Sequence, residues 1–393
     1  MTPQRREQPS WVSRPLVDLS PQRAPRRFVP PPYPYDRLGA LREAAERLDG
    51  GAVDCSVGTP CDPPAPEVLD ALASSGTERG YPSSQGSVPY RESACSMLAR
   101  RYDVDVAPDA LAACVGTKEL VASLASQLAL RDPMRDTVLY PAVAYPTYAV
   151  SAQLAGLRAE PVPLDGGRLA LETLDPDTIA RSLVLWVNSP SNPTGRLDDL
   201  AAAAAFGRRH GVVVCSDECY ADYTWNSPPT TILAHGHDGV LAVHSLSKRS
   251  NLAGVRAGFY AGDAELVAYL QLVRRHAGLI VAGPVQAAAA VAWSDDDHVD
   301  AQRERYALRL AKVRAALLGF GCSVEAPEGS FYLWASKQGV EDGWALAFEL
   351  AERAGVVVSP GELYGDASDE FVRVAMVQPD DRLALVCDRL AGA

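Results

Sequence analysis

A single lysine stands between hydroxyl and guanidinium side chains in the segment Ser245-Leu-Ser247-Lys248-Arg-Ser-Asn-Leu-Ala-Gly-Val-Arg256. The lysine amine can form a Schiff base with an aldehyde. The hydroxyls and the guanidinium can hold a phosphate dianion through charge-assisted hydrogen bonds. Residues of these types at this spacing are what a phosphorylated aldehyde cofactor requires. For this segment taken alone, the alternative is a solvated loop.

The chain contains only four lysines, so few residues could serve as the Schiff-base lysine. Lys312 lies in an arginine-rich amphipathic run and Lys337 in a polar turn, where solvation is the expected role. Lys118 belongs to a Gly-Thr-Lys-Glu segment that opens a predicted helix. We therefore predict that Lys248 is the Schiff-base residue.

Two segments upstream of Lys248 combine a buried-strand pattern with a polar terminus. The apolar run at 183–187 leads into Ser-Pro-Ser-Asn192-Pro-Thr-Gly, which has the composition of a turn. A second apolar run at 212–215 is followed by Asp217 and Tyr220. Polar residues that could contact one ligand therefore follow successive predicted strands.

The order of Asn-Pro-x-Gly, strand-Asp-x-x-Tyr and Ser-x-Ser-Lys with a following arginine resembles the pyridoxal-phosphate-dependent aminotransferases of fold type I, class I/II. The strings VGTKEL, NSPSNPTG, SDECY, SLSKRSNLAGVRAGFYAGD and GSFYLWAS are most similar to those of actinobacterial N-succinyl-diaminopimelate aminotransferases of lysine biosynthesis. The likeness extends from about Pro34 to the C-terminus and does not cover roughly the first thirty residues.

The resemblance implies catalytic roles for Lys248, Asp217 and Tyr220. Asp217 matches the acid that pairs with the protonated pyridine nitrogen, whose charge lets the ring accept electrons. Asn192 and Tyr220 match the two donors to the phenolic oxygen of the ring, which lower the pKa of the Schiff base. Lys248 is expected to bind the cofactor and then to act as the base at the substrate Cα. The implied cofactor-binding residues are Gly116, Thr117, Lys118, Tyr145, Asn192, Asp217, Tyr220, Ser245, Ser247, Lys248, Arg256 and Tyr81.

Several of these residues carry specific expectations. Gly116 opens a helix whose first backbone amides would bind the phosphate. Tyr145 matches the aromatic residue that stacks on the cofactor ring, and Tyr148 is the alternative. Tyr81 matches a tyrosine that reaches the cofactor phosphate of the other subunit, so the resemblance implies a homodimer with shared active sites.

The implied substrate-binding residues are Arg373, Gly58 and Asn192. Arg373 matches the arginine that holds the substrate α-carboxylate, for which its planar guanidinium is suited. Gly58 is expected at the mouth of the substrate pocket, where the backbone must approach closely, and a simple turn glycine is the alternative.

Composition and charge argue against several classes of protein. With 47% hydrophobic and 22% charged residues, the chain has the composition of a globular protein. Its net charge of −12 argues against a nucleic-acid or anionic-membrane partner. The eight cysteines show no zinc-type spacing, so we expect no metal site, and reduced thiols indicate a cytoplasmic enzyme. No apolar run is long enough to span a membrane, and no signal-peptide pattern is visible.

Helical and strand patterns alternate between about residues 55 and 290, which predicts βαβ units and a mainly parallel sheet. After Asp295 a long charged helix at 299–318 precedes short strands, as in an α+β domain. The resemblance implies that this is the α/β fold of type I, with a seven-stranded type of sheet in a large domain and a small α+β domain beside it. The predicted large domain is 56–294, the small domain combines 34–55 with 295–393, and 1–33 is an arm, disordered or docked on the partner subunit.

Positions near the expected substrate pocket depart from the N-succinyl-diaminopimelate pattern. Ala142 stands where that pattern has glutamate, Val255 replaces a tyrosine, and residues 280–284 and 89–90 also differ. The predicted function is amino transfer between a glutamate-like donor and a keto acid, with the N-succinyl-diaminopimelate type as one candidate. The alternative is a lyase or β/γ-replacement enzyme acting, for instance, on an S-adenosylmethionine-like amino acid. Both reactions would need Lys248 and the same cofactor.

Overall fold

The computed structural model describes residues 28–392. The chain divides into two units, residues 1–33 and residues 34–393, each with contacts mainly within itself. In the first of these units, residues 28–33 are exposed and form no helix or strand. The predictions for residues 1–27 lie outside the described residues.

The described part of the second unit contains thirteen α-helices. Side chains that accept hydrogen bonds at the helix starts, such as those of Ser87, Asp199, Asp263 and Asp342, fix where several of them begin. The helices are α1 Gly39–Glu46, α2 Pro66–Ala73, α3 Val88–Tyr102, α4 Thr117–Arg131, α5 Thr147–Leu154, α6 Pro176–Arg181, α7 Leu200–His210, α8 Leu246–Arg249, α9 Ala264–His276, α10 Gly283–Ser294, α11 Asp297–Gly319, α12 Gly343–Ala354 and α13 Asp380–Gly392.

Fifteen strands lie between these helices in the part of the chain that the structure describes. They are β1 Val53–Asp54, β2 Leu111–Cys114, β3 Thr137–Pro141, β4 Arg158–Val162, β5 Leu164–Asp165, β6 Arg168–Leu169, β7 Ser182–Asn188, β8 Val213–Asp217, β9 Val240–Ser245, β10 Gly258–Gly262, β11 Cys322–Val324, β12 Tyr332–Lys337, β13 Val356–Val357, β14 Ser359–Pro360 and β15 Phe371–Ala375.

The largest sheet has seven strands in the order β2-β10-β9-β8-β7-β3-β4. Five adjacent strands run parallel to one another, namely β4, β3, β7, β8 and β9. Strand β10 is antiparallel to both of its neighbours, β9 and β2. Alternate residues enter opposite cores, with Leu185 and Val187 on one face and Val184 and Trp186 on the other. Because successive side chains of a strand point to opposite faces, strands covered on both sides are apolar throughout.

A second, antiparallel sheet has the order β11-β12-β15-β14, and β1 pairs with β13 beside it. Its core joins residues near the start of the described chain, such as Leu41 of α1, to Leu317 of α11, Leu350 of α12 and Leu390 of α13. The segment before residue 55 therefore folds with the C-terminal part of the chain.

The predicted strand positions agree closely with the structure. The apolar run at 183–187 lies in β7, the run at 212–215 overlaps β8, and the long helix expected at 299–318 is α11. Directly before α1, residues Pro34–Leu38 form a 3-10 helix. Among residues 28–392, no helix is long and apolar enough to cross a membrane.

Replacing Leu350 by alanine should lower the free energy of unfolding by about 2–5 kcal/mol, because its fully buried side chain leaves a cavity in the core of the second sheet. Leu308 of α11, which is 73% exposed, gives the matched control, since Leu308→Ala should change stability by less than about 0.5 kcal/mol. Urea unfolding of both variants measures the difference. Equal losses in the two variants would contradict the packing described here.

Candidate active site

Three parallel strands of the large sheet end side by side with polar residues. Strand β7 ends at Asn188, β8 at Asp217 and β9 at Ser245, and Asn188 lies directly opposite Asp217. Ligands of open α/β sheets bind at the carboxyl ends of the strands. The segments that follow these ends carry Asn192, Tyr220 and Lys248, so the sheet brings the residues predicted from the sequence to one edge.

Asp217 is a buried carboxylate, 7% exposed. Its Oδ2 accepts a hydrogen bond from the Tyr148 hydroxyl at 2.8 Å, and its Oδ1 accepts one from the backbone N–H of Cys219 at 3.2 Å. Burial raises the pKa of Asp217, and the bonds from Cys219 and Tyr148 oppose that rise. Within the described residues, no lysine or arginine forms an ion pair with it. A buried acid of this kind suits a cationic ligand atom, such as a protonated ring nitrogen.

The two candidate stacking tyrosines occupy different environments. Tyr148 is fully buried, its hydroxyl bonds to Asp217, and its ring stacks on Trp186 with centroids 5.2 Å apart. Tyr145 is half-buried and meets Tyr148 edge-on, with centroids 5.9 Å apart. Because Tyr148 is fully buried with its ring on Trp186, whereas Tyr145 is only half-buried, Tyr145 is the better placed of the two to cover a ligand.

Lys248 lies in the single-turn helix α8, directly after β9. Its Nζ donates a hydrogen bond to the backbone carbonyl of Gly58. The pKa of Lys248 is lowered to about 8, chiefly by burial and to a smaller extent by the nearby Arg373 and Arg256 guanidinium groups, while Cys219 opposes the shift. No carboxylate pairs with this amine among the described residues, so a large fraction of it is neutral and nucleophilic near pH 8.

The groups predicted to bind a phosphate also come together. Gly116 is the residue before α4 and has φ +72°, and a Cβ at this position would overlap the guanidinium of Arg256. Only glycine therefore allows Arg256 to reach the N-terminus of α4, where unpaired amides and the helix dipole favour an anion. The Ser245 hydroxyl accepts a hydrogen bond from the Ser247 backbone N–H at 3.1 Å, which holds the start of α8.

Arg373 of β15 is 1% exposed and forms no ion pair with a carboxylate of residues 28–392. One terminal nitrogen donates to Asn192 Oδ1 at 2.7 Å, the other donates to the Ser56 carbonyl, and Nε has no hydrogen-bond partner among the described atoms. Its guanidinium carbon lies 4.3 Å from the ring centre of Tyr332 and 4.9 Å from that of Tyr364. A buried cation held by neutral groups alone suits a carboxylate ligand.

Tyr220 is buried, and its hydroxyl lies 2.8 Å from that of Tyr332. Sequence reasoning missed Tyr332 as a site residue, although it lies in the string GSFYLWAS. A Cβ on Gly58 would overlap the Tyr332 hydroxyl, which explains the glycine at that position. Tyr364 was also missed, and no motif marks it.

Some predicted residues do not converge on the site within this chain. The Tyr81 side chain is fully exposed, and Lys118 is exposed on the first turn of α4. Tyr90, one of the positions that depart from the expected pattern, is fully buried and donates to the Gly258 carbonyl at 2.7 Å. The difference from the expected pattern at Tyr90 therefore lies in the core of the large sheet. The backbone carbonyl of Ala142, another differing position, lies against Gly365.

Known proteins similar to this chain are named as aminotransferases or transaminases. Residues 51–390 match the family described as aminotransferase class I and II. The chain is 43% identical to the 4-dedimethylamino-4-oxo-anhydrotetracycline transaminase of Streptomyces rimosus, over 92% of this chain and 99% of that one. It is 44% identical to a probable aminotransferase of Mycobacterium tuberculosis, over 92% of this chain and 85% of that one. A probable N-succinyldiaminopimelate aminotransferase from Thermus thermophilus has a similar structure, with TM-score 0.82 and 30% identity, over 92% of this chain and all of the other.

The chain belongs to the class I and II aminotransferases, enzymes that transfer amino groups and use pyridoxal phosphate. Its described residues fit that cofactor, because a buried carboxylate, a reactive lysine amine and an anion-binding helix start lie at one sheet edge. The alternative of a lyase or replacement enzyme is not favoured, since these relatives are named as aminotransferases or transaminases.

The rate at which cofactor-free protein captures pyridoxal phosphate should rise with pH and level off above about pH 8. The neutral amine is the nucleophile, and the pKa of Lys248 is lowered to about 8. Stopped-flow absorbance over pH 6.5–9.5 measures this dependence. A rate that kept rising tenfold for each pH unit to the end of this range would contradict the lowered pKa.

Replacing Gly116 by alanine should weaken pyridoxal phosphate binding by about 5- to 150-fold, since displacing Arg256 and straining the backbone cost about 1–3 kcal/mol. Gly254, in the same loop as Arg256, has no atom within 4 Å of an added Cβ, so Gly254→Ala is the matched control. Equilibrium titration of the cofactor-free proteins measures both affinities. Equal affinities for the two variants would show that Arg256 does not depend on Gly116.

Proposed function

We propose that this enzyme takes the amino group of a glutamate-like amino acid and delivers it to a keto acid, at a site built around Lys248, Asp217 and Arg373. The observation that carries the proposal is the set of charges at the sheet edge. Asp217 lacks a cation, and Lys248 and Arg373 lack an acid within the described residues, so ligand groups of opposite charge can complete all three.

Pyridoxal phosphate, when bound, supplies a ring that stabilises negative charge at the substrate Cα. Asp217 would hold the protonated ring nitrogen, and Asn192 and Tyr220 would donate to the phenolic oxygen. Tyr145 would cover one face of the ring. The phosphate would lie at Gly116 and Thr117, with Ser245, Ser247 and Arg256 as further donors.

Lys248 would bind the cofactor through Nζ and later remove the proton from the substrate Cα. Its lowered pKa supports this role, because a base with a pKa near the working pH is both available and strong enough. Gly58 would keep Lys248 in place through its carbonyl, which accepts the hydrogen bond from Nζ.

Arg373 would hold the α-carboxylate of either substrate, with Asn192 fixing one end of its guanidinium. For the distal part, we propose a bulky substrate of the N-succinyl-diaminopimelate type. The names of the similar structure and of the Streptomyces rimosus transaminase both denote large substrates. Ala142 stands where the resemblance implies glutamate, so the side chain at that position is smaller and uncharged.

We further propose the domain division 34–55 with 295–393 against 56–294, which is supported by the two separate sheets. A homodimer with shared active sites is supported by Tyr81, an aromatic side chain that is fully exposed in the single chain. A cytoplasmic location is supported by the eight cysteines, none of which is paired.

A single turnover without a keto-acid acceptor tests the proposal. Glutamate should convert the loaded enzyme stoichiometrically to its pyridoxamine phosphate form and release 2-oxoglutarate, and absorbance with product analysis would measure both. Release of a leaving group from Cβ or Cγ of any donor, without pyridoxamine phosphate, would favour the lyase instead.

In the same assay, Lys248→Ala should lower the rate by about 10⁴-fold or more, because it removes both the binding amine and the base. Lys312→Ala, at an exposed lysine of α11, provides the control and should keep the parent rate. A Lys248→Ala enzyme with near-parent rate would overturn the assignment.

A further inference from the structure

Tyr332 contacts both ends of the proposed site. It lies on β12, is 1% exposed, and its hydroxyl is 2.8 Å from the Tyr220 hydroxyl. Its ring lies under the guanidinium of Arg373, with 4.3 Å between the guanidinium carbon and the ring centre. Tyr332 therefore joins the proposed carboxylate-binding arginine to a proposed donor to the cofactor.

We propose that Tyr332 is a positioning residue that donates its hydroxyl proton to Tyr220 and thereby strengthens the hydrogen bond that Tyr220 gives to the cofactor oxygen. This inference rests on the proposed function, which assigns Tyr220 as that donor.

Counting protons gives the direction of the bond. Each phenol has a single O–H. If Tyr220 donates its O–H to the cofactor, it can only accept a hydrogen bond from Tyr332. In a buried chain of hydrogen bonds, a donor that itself accepts a bond becomes a stronger donor. The hydroxyl of Tyr332 thus acts on the cofactor through Tyr220 and need not touch it.

The surrounding charges support this direction. Burial raises the pKa of both tyrosines, so both hydroxyls keep their protons at neutral pH. Arg373 opposes the rise at both tyrosines, and because its guanidinium lies against the ring of Tyr332, its positive charge favours Tyr332 as the donor. The other titratable groups that face the pair are Cys219, from the turn after β8, and Tyr35, from the 3-10 helix at Pro34–Leu38. No carboxylate of the described residues bonds to either hydroxyl.

The arrangement links Arg373 to both proposed oxygen donors, directly to Asn192 and through Tyr332 to Tyr220. It bonds directly to Asn192 and packs on Tyr332, whose hydroxyl meets Tyr220. A carboxylate that neutralises Arg373 would therefore weaken Tyr332 as a donor. Occupancy of the substrate site would then weaken the hydrogen bond from Tyr220 to the cofactor oxygen.

The test is a pH titration of the visible absorbance of the loaded enzyme, which reports the proton on the nitrogen of Lys248. Tyr332→Phe keeps the ring on Arg373 and removes the hydroxyl. A weaker bond from Tyr220 stabilises the deprotonated form less, so the apparent pKa should rise by about 0.5 to 1, the equivalent of one hydrogen bond of about 1 kcal/mol.

The matched control is Tyr364→Phe. Tyr364 also packs on Arg373, at 4.9 Å, but its hydroxyl lies 3.2 Å from that of Tyr35. Its loss should leave the absorbance pKa at the parent value, whereas a general loosening around Arg373 would shift both variants alike and would overturn the inference.

A double-mutant cycle separates action through Tyr220 from a structural effect. Tyr220→Phe should raise the pKa more than Tyr332→Phe, and adding Tyr332→Phe to it should cause no further rise. Additive rises, or an unchanged pKa in Tyr332→Phe, would overturn the proposal. Thermal unfolding of each variant verifies folding, and if Tyr332→Phe did not fold, Tyr332→Leu compared with Tyr220→Phe/Tyr332→Leu would complete the cycle.

Failure of the proposed function has a different signature. If Lys248→Ala retained the pH-dependent visible band of the loaded enzyme, the cofactor would not be on Lys248 and the proposed function itself would fail. If Lys248→Ala lost the band and Tyr332→Phe matched the parent, only the inference about Tyr332 would fail.

Discussion

The carboxylate of Asp217, held in the protein interior without a cation, is the constraint on which the rest of the site depends. A buried charge is costly unless it is paired or hydrogen-bonded. The sheet places Asp217 at the end of β8, where Tyr148 and the backbone of Cys219 donate to it. Tyr148 can do so because its ring is fixed against Trp186. These contacts orient the carboxylate without neutralising it, so a cationic ligand nitrogen remains its best partner.

Other buried arginines of the described chain form ion pairs with carboxylates. Arg274 is paired with Glu119 at 2.6 Å, and Arg249 lies 2.6 Å from Asp296. Arg373 is as deeply buried as Arg274, yet its partners are an amide oxygen, a backbone carbonyl and two aromatic faces. The contrast distinguishes ion pairs that complete the fold from charges that a ligand completes.

Two glycines leave room for side chains of the site. Gly116 makes room for the guanidinium of Arg256, and Gly58 makes room for the hydroxyl of Tyr332 while its carbonyl accepts from Lys248. Gly58 follows β1, which pairs with β13 of the C-terminal part of the chain. The site therefore forms where the large sheet meets the elements around the second sheet, and it needs both ends of the described chain.

The sequence by itself determined the strands of the large sheet and the residues at their ends. An apolar run marks a strand buried on both faces, and Asn192, Asp217, Lys248 and Arg256 each lie in or directly after such a run or its turn. These are local signals, so they survive without knowledge of the fold. Arg373 was assigned through the family resemblance, and its place inside an apolar strand adds only that a buried arginine requires a partner.

Only the tertiary structure decided what those residues touch. It placed Tyr148 on Asp217 and left Tyr145 half-buried, set Tyr332 between Tyr220 and Arg373, and turned β10 antiparallel to its neighbours. Each of these facts joins residues far apart in the chain, as Tyr220 and Tyr332 are. A tyrosine in an apolar run has the same local pattern whether it fills a core or orients a catalytic group, because the difference lies in its long-range hydrogen-bond partner.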